Sequence, residues 1–537
     1  MKFTLSTWGS IGASLLVAAC GGGGGGNAGS VVANPARGQL VQSPPLRITS
    51  LAAAEFTGEL SASASGQSLL QLSTGSPTGA LPCGVDVQYL NYGTVGAKGE
   101  STTATAALMV PTGSGTTLKG TPCNAPRPIV LFAHGTTIEK RYNLADFTDP
   151  TNPAYSQALL LAAEFAAQGY IVVAPNYAGY DSSTLGYHPF LVADQQSKDM
   201  MDALAAAKTA LPLLSSGASA SSQLFVTGYS QGGHVAMATH RALQTAGIPV
   251  TASAPMSGPY AMALTADAIV GGQVNLGSTI FLPLVVTAYQ KSYGDVYAST
   301  ADFYEDAYAT GIESVFPGAY TTTTAVTSGK VPQLASFNST PPAPAFASVT
   351  PATTGTAGQN ALWALGFGTP NLFKNSMRAA YLTDAAINPD SGAATAAATP
   401  GYALRKHLKD NDLRSWTNPA APILLCGGAN DPIVYFANTS LMAAAVWPAQ
   451  VSGHLVTVLD LDSTAGTPGA ANPFYAAKAG FQSTNQTLYN NTVATATAAG
   501  QSAPAAAASA QSAVTSNYHS GAAPFCTAAA RGFFTNF

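Results

Sequence analysis

The sequence predicts an α/β fold, with a mainly parallel sheet, flanking helices and a large inserted cap. Short apolar runs, typical of strands buried on both faces, alternate with segments of helical spacing from about residue 128 to residue 254. This alternation stops after residue 258 and returns near residue 423, which indicates an insertion. The chain has 537 residues, more than one hydrophobic core usually supports, so we expect a second lobe.

The individual elements follow from local composition. Residues 85–95 and 103–111 are rich in β-branched and aromatic residues and predict a β-hairpin. The apolar run 128–133 predicts the first doubly buried strand. After it, we expect helices at 157–168, 194–211 and 231–246, and strands at 170–174, 224–227, 250–254, 423–426 and 454–461.

These elements divide the chain into a core that a cap interrupts. Residues 51–258 and 416–537 form the two parts of the predicted core, and the second part carries an Ala/Ser/Thr-rich insertion at about 463–516. Residues 259–415 form the predicted cap. Its aromatic side chains either line an apolar pocket or form the cap's own core: Phe281, Tyr289, Tyr293, Tyr297, Phe303, Tyr304, Tyr308, Phe316 and Tyr320.

The first twenty residues resemble a bacterial lipoprotein export signal. Lys2 gives a basic start, residues 11–19 are apolar but too few to span a bilayer, and small residues precede Cys20. We therefore expect residues 1–19 to be removed and Cys20 to carry a lipid that anchors the protein, in a bacterial outer membrane on its periplasmic or outer face. An ordinary signal peptide is the alternative. Residues 20–50, which begin with six consecutive glycines after the cysteine, predict a flexible tether.

The charge composition excludes one class of partner. Charged residues make up 9% of the chain, against about 25% in ordinary soluble proteins. The 21 Lys and Arg residues form no cluster that could neutralise a row of phosphates, and the net charge is −4. We expect no nucleic-acid partner, no obligate protein partner and no cofactor.

Residues 228–232, with the sequence GYSQG, give the strongest indication of chemistry. A serine hydroxyl is a weak nucleophile unless a base takes its proton. The predicted strand before this segment and the predicted helix after it would project Ser230 out of the sheet on a sharp turn. The small residues two positions before and after the serine let strand and helix approach closely. Ser230 is therefore the predicted nucleophile.

Two backbone amides are the candidates for stabilising an oxyanion. One belongs to Gln231, which follows the nucleophile at the positive N-terminus of the predicted helix. The other belongs to Thr136, in the loop that follows the apolar run 128–133.

A base and its orienting acid should follow the nucleophile in the order Ser, acid, His. The stretch 254–258 contains no acid, and Asp431 lies in a turn-rich loop directly after strand 423–426. A turn aspartate that caps the next helix is the alternative interpretation of Asp431. His519 is predicted to lie in a loop before a last short helix at 527–534, where a catalytic histidine belongs, whereas His454 opens a strand. We favour His519, with His454 as the alternative.

The cysteines that remain after Cys20 predict disulfides, since an exported chain with four further cysteines favours two bridges in one of three connectivities. We favour Cys83 with Cys123 and Cys426 with Cys526, because the second bridge would hold the segment around His519 against the strand that precedes Asp431. His234 and His240, on the helix predicted after Ser230, are interpreted as packing or capping residues. His188 and His407 lack metal-ligand spacing, and no metal site is evident.

Four segments together resemble secreted lipases and esterases of the α/β-hydrolase superfamily: AHGT at 133–136, PNYAGY at 175–180, GYSQGG at 228–233 and GGANDP at 427–432. The likeness spans roughly residues 83–535 and is greatest to the secretory lipase type, which carries a large cap after the strand that follows the nucleophile. It implies hydrolysis of carboxylic esters through an acyl-enzyme. The long segment before His519 departs from the pattern.

Several substrates and two other functions are compatible with these residues. Polymeric esters, acylglycerols and small aryl esters all fit an ester hydrolase of this kind. A serine peptidase could use the same three residues, although the chain lacks the repeats of a propeller. A non-catalytic surface lipoprotein with a hydrolase-like fold is the remaining alternative.

Overall fold

The computed structural model describes residues 30–117, 119–216, 219–392, 399–469 and 471–537. The predicted export signal and Cys20 lie outside these residues. The described strands are β1 Ser30–Val31, β2 Gln42–Ser43, β3 Leu46–Leu51, β4 Gly84–Val95, β5 Ser101–Thr112, β6 Pro126–Ala133, β7 Ile171–Pro175, β8 Ser219–Tyr229, β9 Ala252–Met256, β10 Ile423–Gly427 and β11 Val456–Asp460.

The α-helices flank the sheet or build the cap. They are α1 Ala53–Ser61, α2 Ala64–Thr74, α3 Tyr155–Glu164, α4 Ala193–Ala210, α5 Gln231–Thr245, α6 Met262–Val270, α7 Ser278–Tyr293, α8 Thr300–Phe303, α9 Asp306–Ala309, α10 Thr322–Thr327, α11 Ala357–Ala364, α12 Asn375–Ile387, α13 Ala403–Asp410, α14 Ala437–Leu441, α15 Pro448–Ser452, α16 Tyr475–Ala498 and α17 Ala503–Phe534. In the described part of the chain, no helix has both the length and the hydropathy that a membrane span needs.

Nine strands form one mixed sheet in the order β11-β10-β9-β8-β6-β7-β5-β4-β3. The six strands from β11 to β7 run parallel, and β5, β4 and β3 continue the sheet in antiparallel pairs. Helices α4 and α5 pack on strands of this sheet, and α17 packs on β8, β9 and β10. The predicted α/β class, with its mainly parallel sheet, is confirmed.

The strand register brings several loops together at one edge of the sheet. Ala133 at the end of β6 is level with Gly228 of β8, and Met256 at the end of β9 is level with Cys426 of β10. Parallel neighbours end at the same edge, so the loops after β6, β8, β9 and β10 meet there. Ligand sites of open α/β sheets occur at this edge.

Two predictions about irregular segments are wrong. The flexible tether was expected to reach residue 50, but the described residues from Ser30 onward contain β1, β2 and β3, and β3 pairs with β4 along the edge of the sheet. The loop expected around His519 is the interior of α17, which also includes the predicted short helix at 527–534. The predicted insertion at 463–516 contains α16 and the first half of α17, which pack against each other.

The cap lies between β9 and β10 and consists of α6 to α13 with the loops between them. Its buried side chains form a hydrophobic cluster that also contacts Ile138 and Phe190 to Val192 of the core. Eight of the nine aromatic residues singled out in the sequence belong to this cluster or pack against it, and Tyr293 does not. These rings therefore build the cap's own core, and Phe281 alone among the nine also lines the cavities beside Ser230.

Both predicted disulfides are present. Cys83 bonds to Cys123, and Cys426 at the end of β10 bonds to Cys526 in the interior of α17. The second bridge closes a loop of 100 residues in sequence, and a cross-link over so long a loop stabilises the folded state by up to about 4–5 kcal/mol in the chain-entropy treatment. It attaches the helix that carries His519 directly to the strand that precedes Asp431.

Four buried histidines make the fold sensitive to acid. Burial lowers the pKa of His188 to about 3 and the pKa values of His134, His234 and His240 to about 4. An unfolded histidine titrates near 6.5, so the unfolded chain binds protons that the folded chain refuses as the pH falls from about 6.5 towards 4. Burial raises the pKa of Asp199 to about 7, so the folded chain binds a proton there as the pH falls. This single proton offsets only part of the destabilisation by the four histidines.

We therefore expect the melting temperature to decrease steadily between pH 7 and pH 5. Differential scanning calorimetry across this range measures the change. A melting temperature that stays constant or rises on acidification would contradict the prediction.

Candidate active site

The serine of the GYSQG segment occupies a sharp turn between β8 and α5. Ser230 has φ 61° and ψ −122°, a strained conformation for a residue other than glycine. Its backbone N–H donates to the carbonyl of Met256 at the end of β9 (3.0 Å), and its side chain is partly exposed. The turn thus presents the hydroxyl at the edge of the sheet where the loops meet.

The glycines around the serine are required by close backbone contacts. A Cβ atom on Gly232 would lie 2.0 Å from the carbonyl oxygen of Ala133 on β6. A Cβ atom on Gly228 would lie 2.4 Å from the carbonyl oxygen of Gly232 and 2.5 Å from that of Ala133. Larger residues at either position would separate α5 from the sheet and move Ser230.

Asp431 and His519 form a buried pair beside this turn. Nδ1 of His519 lies 2.6 Å from Oδ2 of Asp431, and the two residues are 8% and 4% exposed. Oδ1 of Asp431 accepts hydrogen bonds from the backbone N–H groups of Ile433 (2.9 Å) and Val434 (3.1 Å). These bonds fix the carboxylate, so Nδ1 carries the proton that bonds to it and Nε2 remains free to accept one.

A fourth side chain, from Ser257, completes the carboxylate's environment. Its Oγ donates to Oδ2 of Asp431 (2.9 Å), and its backbone has φ 42° in the loop after β9. Ser257 was not predicted from the sequence, in which the stretch 254–258 was notable only for lacking an acid. The positional signal was available, because Ser257 directly follows the strand that lies between the nucleophile strand and the acid strand.

His519 reaches the site from the helix α17. Oη of Tyr229 donates to the backbone carbonyl of His519 (2.6 Å), and the two rings are 5.0 Å apart between centroids. Nε2 of His519 is buried and has no hydrogen-bond partner among the described residues. His519 and Ser230 line the same cleft, but the structure contains no hydrogen bond between them. Such bonds are often long in free enzymes and shorten when substrate binds.

The alternative base, His454, lies elsewhere. It is exposed in the turn before β11, with φ 59°, and it lines neither cavity beside Ser230. Two other histidines bond to neighbouring groups within the fold. His234 bonds through Nε2 to the carbonyl of Asn411 (2.9 Å), and His240 bonds through Nδ1 to Ser253 (2.8 Å).

The loop after β6 and the start of α5 carry the two predicted oxyanion donors, and both lie beside Ser230. Thr136, Ser230 and Gln231 line one cavity, and the backbone N–H of Gln231 begins helix α5. The loop is held from behind, since Tyr177 donates through Oη to the carbonyl of His134 (3.0 Å) and Tyr180 donates to that of Thr137 (2.6 Å). The ring of His134 also stacks on Tyr177 at 4.1 Å between centroids.

The side chain of Gln231 is fixed by His188. Nδ1 of His188 lies 2.9 Å from the carbonyl of Ala178, so this nitrogen is the donor. Nε2 then accepts from the amide of Gln231 at 2.8 Å. Burial lowers the pKa of His188 to about 3, so the neutral ring persists across the physiological range.

Two cavities of different character meet at Ser230. One, of about 100 Å³, extends under the cap between aliphatic side chains, which include Leu191, Met262, Ile269, Leu282, Val286 and Leu408. We call it the apolar chamber. The other, of about 720 Å³, opens towards α1, α2, α3 and α17. Unlike the first cavity, it combines apolar wall residues, which include Leu60, Leu159 and Phe281, with several polar ones, which include Glu59, Ser156 and Ser520. We call it the polar cleft. His519 lines the polar cleft and not the apolar chamber.

Comparison with solved structures identifies the fold. A mutant of the rice cell wall degrading esterase LipA from Xanthomonas oryzae is 25% identical, with a TM-score of 0.59 over 79% of this chain and 91% of that chain. The fold is that of the α/β-hydrolases. A ligand-bound form of the same esterase is 23% identical, with a TM-score of 0.59 over 90% of this chain and 98% of that chain.

A Legionella pneumophila protein provisionally described as a hydrolase has the same fold. It is 18% identical, with a TM-score of 0.55 over 77% of this chain and 90% of that chain. No protein-family model and no curated protein sequence matches the chain. The structural neighbours therefore support a hydrolase of the esterase type at the level of the fold.

Replacing Ser257 with Ala is expected to lower kcat for ester hydrolysis about tenfold, with little change in KM. A hydrogen bond to a charged acceptor contributes about 1.5–3 kcal/mol, and its loss would loosen the carboxylate that orients His519. Steady-state kinetics measure both constants. Ser253→Ala, which removes a buried hydroxyl on the neighbouring strand β9, is the matched control. An unchanged kcat, or a change confined to KM, would refute the role of Ser257.

Proposed function

We propose that this protein is a serine hydrolase that cleaves carboxylic esters through an acyl-enzyme on Ser230. The observation that carries the proposal is the arrangement of three side chains. Ser230 stands on a strained turn and shares a cleft with His519, whose other ring nitrogen bonds to the buried carboxylate of Asp431. The similarity to the esterase LipA supports an ester as the substrate.

In the first half of the proposed reaction, Nε2 of His519 takes the proton of the Ser230 hydroxyl as Oγ attacks the ester carbonyl carbon. The carbonyl oxygen becomes an oxyanion and accepts hydrogen bonds from the N–H groups of Gln231 and Thr136. Collapse of this intermediate breaks the bond to the alcohol oxygen, and His519 returns its proton to that oxygen. Asp431 stays ionised and stabilises the imidazolium.

In the second half, water replaces the alcohol. His519 takes a proton from the water as its oxygen attacks the acyl carbon, and the same two N–H groups hold the second oxyanion. Collapse releases the carboxylic acid and returns the proton to Ser230. Because the same base serves both halves, loss of His519 should abolish both.

The positions of the two cavities support an assignment of the two halves of the substrate. His519 must protonate the leaving alcohol, so the alcohol lies on the side of the polar cleft that His519 lines. The acyl group then occupies the apolar chamber, which His519 does not line. We therefore propose esters of aliphatic acids with large alcohols as the preferred substrates.

Covalent trapping tests the proposal. Diisopropyl fluorophosphate should form one adduct per chain, in which Oγ of Ser230 displaces fluoride, and mass spectrometry of peptides should locate it at residue 230. Hydrolysis of 4-nitrophenyl acetate and decanoate should be lost in parallel. Label at another residue that abolishes activity, or activity that survives full modification of Ser230, would overturn it. Peptide anilides, assayed alongside, test the peptidase alternative.

We also propose that the chain is exported and lipid-anchored at Cys20. Two disulfides support the first part, because disulfides persist in oxidising compartments. Incorporation of radiolabelled palmitate by the full-length chain in a Gram-negative host, compared with Cys20→Ser, tests the second part. Equal labelling of the two chains would exclude acylation at Cys20.

A further inference from the structure

Another cavity lies at the opposite edge of the sheet from Ser230. It has a volume of about 130 Å³ and opens at the amino ends of β6 and β8. Its walls include Arg127 of β6, Phe225 of β8 and Phe534 of α17. None of its lining residues also lines the apolar chamber or the polar cleft. We call it the basal cavity.

Arg127 is a buried cation without a carboxylate partner in the described part of the chain. The residue is 6% exposed, and its Nε donates to the carbonyl of Gly169. Its two Nη atoms have no hydrogen-bond partner among the described residues. Burial lowers the pKa of Arg127, because a buried guanidinium is less well solvated than an exposed one. Such a charge is costly unless an anion satisfies it.

Among the described residues, no side chain that lines the basal cavity is a carboxylate that could compensate the charge of Arg127. Arg531 also lines the basal cavity, and it is paired with Glu164 at 2.9 Å. Glu164 also accepts a hydrogen bond from Ser73, so both of its carboxylate oxygens already have partners other than Arg127. Lys119 adds an exposed ammonium to the wall. Thr117 lines the cavity too, and its buried hydroxyl has no partner in the described residues.

Aromatic rings form the apolar side of the basal cavity. The ring centroids of Tyr170 and Phe225 are 6.1 Å apart, and those of Phe225 and Phe534 are 4.5 Å apart. Aromatic rings prefer to pack against other aromatic rings, stacked or edge to face, so this wall favours a ligand with an aromatic ring. The free Nη pair of a guanidinium matches the two oxygens of a carboxylate.

We propose that the basal cavity binds an aromatic carboxylate, with its two oxygens on Arg127 and its ring beside Phe225 and Phe534. The proposal does not depend on the hydrolase function, because the cavity shares no lining residue with the catalytic site. It adds a second, non-catalytic ligand site to the chain.

Isothermal titration calorimetry of the full chain with benzoate tests the proposal, with benzamide as the neutral ligand of the same shape. We expect benzoate to bind at least about tenfold more tightly than benzamide, since only the carboxylate is charged. Arg127→Gln should weaken benzoate binding at least about tenfold. Lys119→Gln, the matched removal of an exposed charge, should change binding less than about threefold. Ser230→Ala should bind benzoate as the wild type does.

Circular dichroism and ester hydrolysis by Arg127→Gln verify that this variant folds. If Arg127→Gln does not fold, Arg127→Lys keeps a charge but loses the two-point contact, and it should still weaken benzoate binding. The proposal is overturned if benzoate does not bind, binds no better than benzamide, or binds the folded Arg127 variants as tightly as wild type. Loss of benzoate binding in Ser230→Ala would place the ligand in the catalytic site instead.

Discussion

Ser230→Ala and His519→Ala are each expected to lower kcat for an activated ester on the order of 10⁶-fold, whereas His454→Ala should hydrolyse it like the wild type. Without the hydroxyl no acyl-enzyme forms, and without the imidazole no group takes the proton of Ser230. His454 is exposed and lines neither cavity beside the nucleophile. Hydrolysis of 4-nitrophenyl esters measures all three variants.

The combination of variants separates the alternatives. Equal rates for wild type and Ser230→Ala would remove the enzymatic function, and an inactive His454→Ala beside an active His519→Ala would transfer the role of base. Because His519 lies in the interior of a helix, circular dichroism of His519→Ala should match the wild type. The double variant of Ser230 and His519 should be no slower than either single one, since the two groups act as a unit.

Asp431→Asn is expected to lower kcat about 10⁴-fold, although the amide has nearly the same shape as the carboxylate. Every hydrogen-bond partner of the Asp431 carboxylate is a donor: Ser257 Oγ, His519 Nδ1 and the N–H groups of Ile433 and Val434. If the oxygen of the introduced amide side chain accepts the hydrogen bonds from the N–H groups of Ile433 and Val434, the NH₂ group of the same side chain faces His519. The imidazole must then accept at Nδ1 and carry its proton on Nε2, where it can no longer act as a base.

The control for this change is Asp462→Asn. Asp462 lies in the same corner of the molecule, where it accepts from the backbone N–H of Asn430 (2.8 Å) and from Oη of Tyr518, the neighbour of the base. It does not touch the ring of His519, so the loss of its charge should cost kcat much less. Similar losses for the two variants would show that the corner is sensitive to any change of charge, and the orienting role of Asp431 would be refuted.

Local signals were enough to predict the sheet and the turn that presents Ser230. The strand at 224–227, the turn at Ser230 and the helix from Gln231 are adjacent in sequence, so the glycine spacing and the periodicity report on one compact unit. Asp431 could be predicted for the same reason, since it follows a strand with a clear apolar run.

The helix that carries His519 was missed because its local sequence contradicts its structure. Gly521 and Pro524 weaken a helix, and they made the segment resemble a loop. Burial overrides this preference, because one helical face carries buried residues four apart: Tyr518, Ala522, Cys526 and Ala530. That spacing was readable in the sequence, whereas the packing that rewards it depends on strands far away in the chain.

The first residues of the folded part were missed for a similar reason. Residues 46–51 form an edge strand that is mostly exposed, so they carry no strong apolar pattern. Their pairing with β4 is a long-range hydrogen-bonded contact that composition does not report. In this pairing, Arg47 of β3 donates from Nε to Oδ1 of Asp86 on β4 (2.7 Å).

The bridge between Cys426 and Cys526 affects when the protein can assemble its proposed active site. The imidazole belongs to the last helix, and a covalent bond that only oxidation can make holds that helix on the sheet. A nascent chain that has not yet been synthesised through this helix lacks its base, and a completed chain in a reducing compartment lacks the bond. Maturation in an oxidising compartment would therefore keep the proposed ester-cleaving activity low inside the cell that makes the protein.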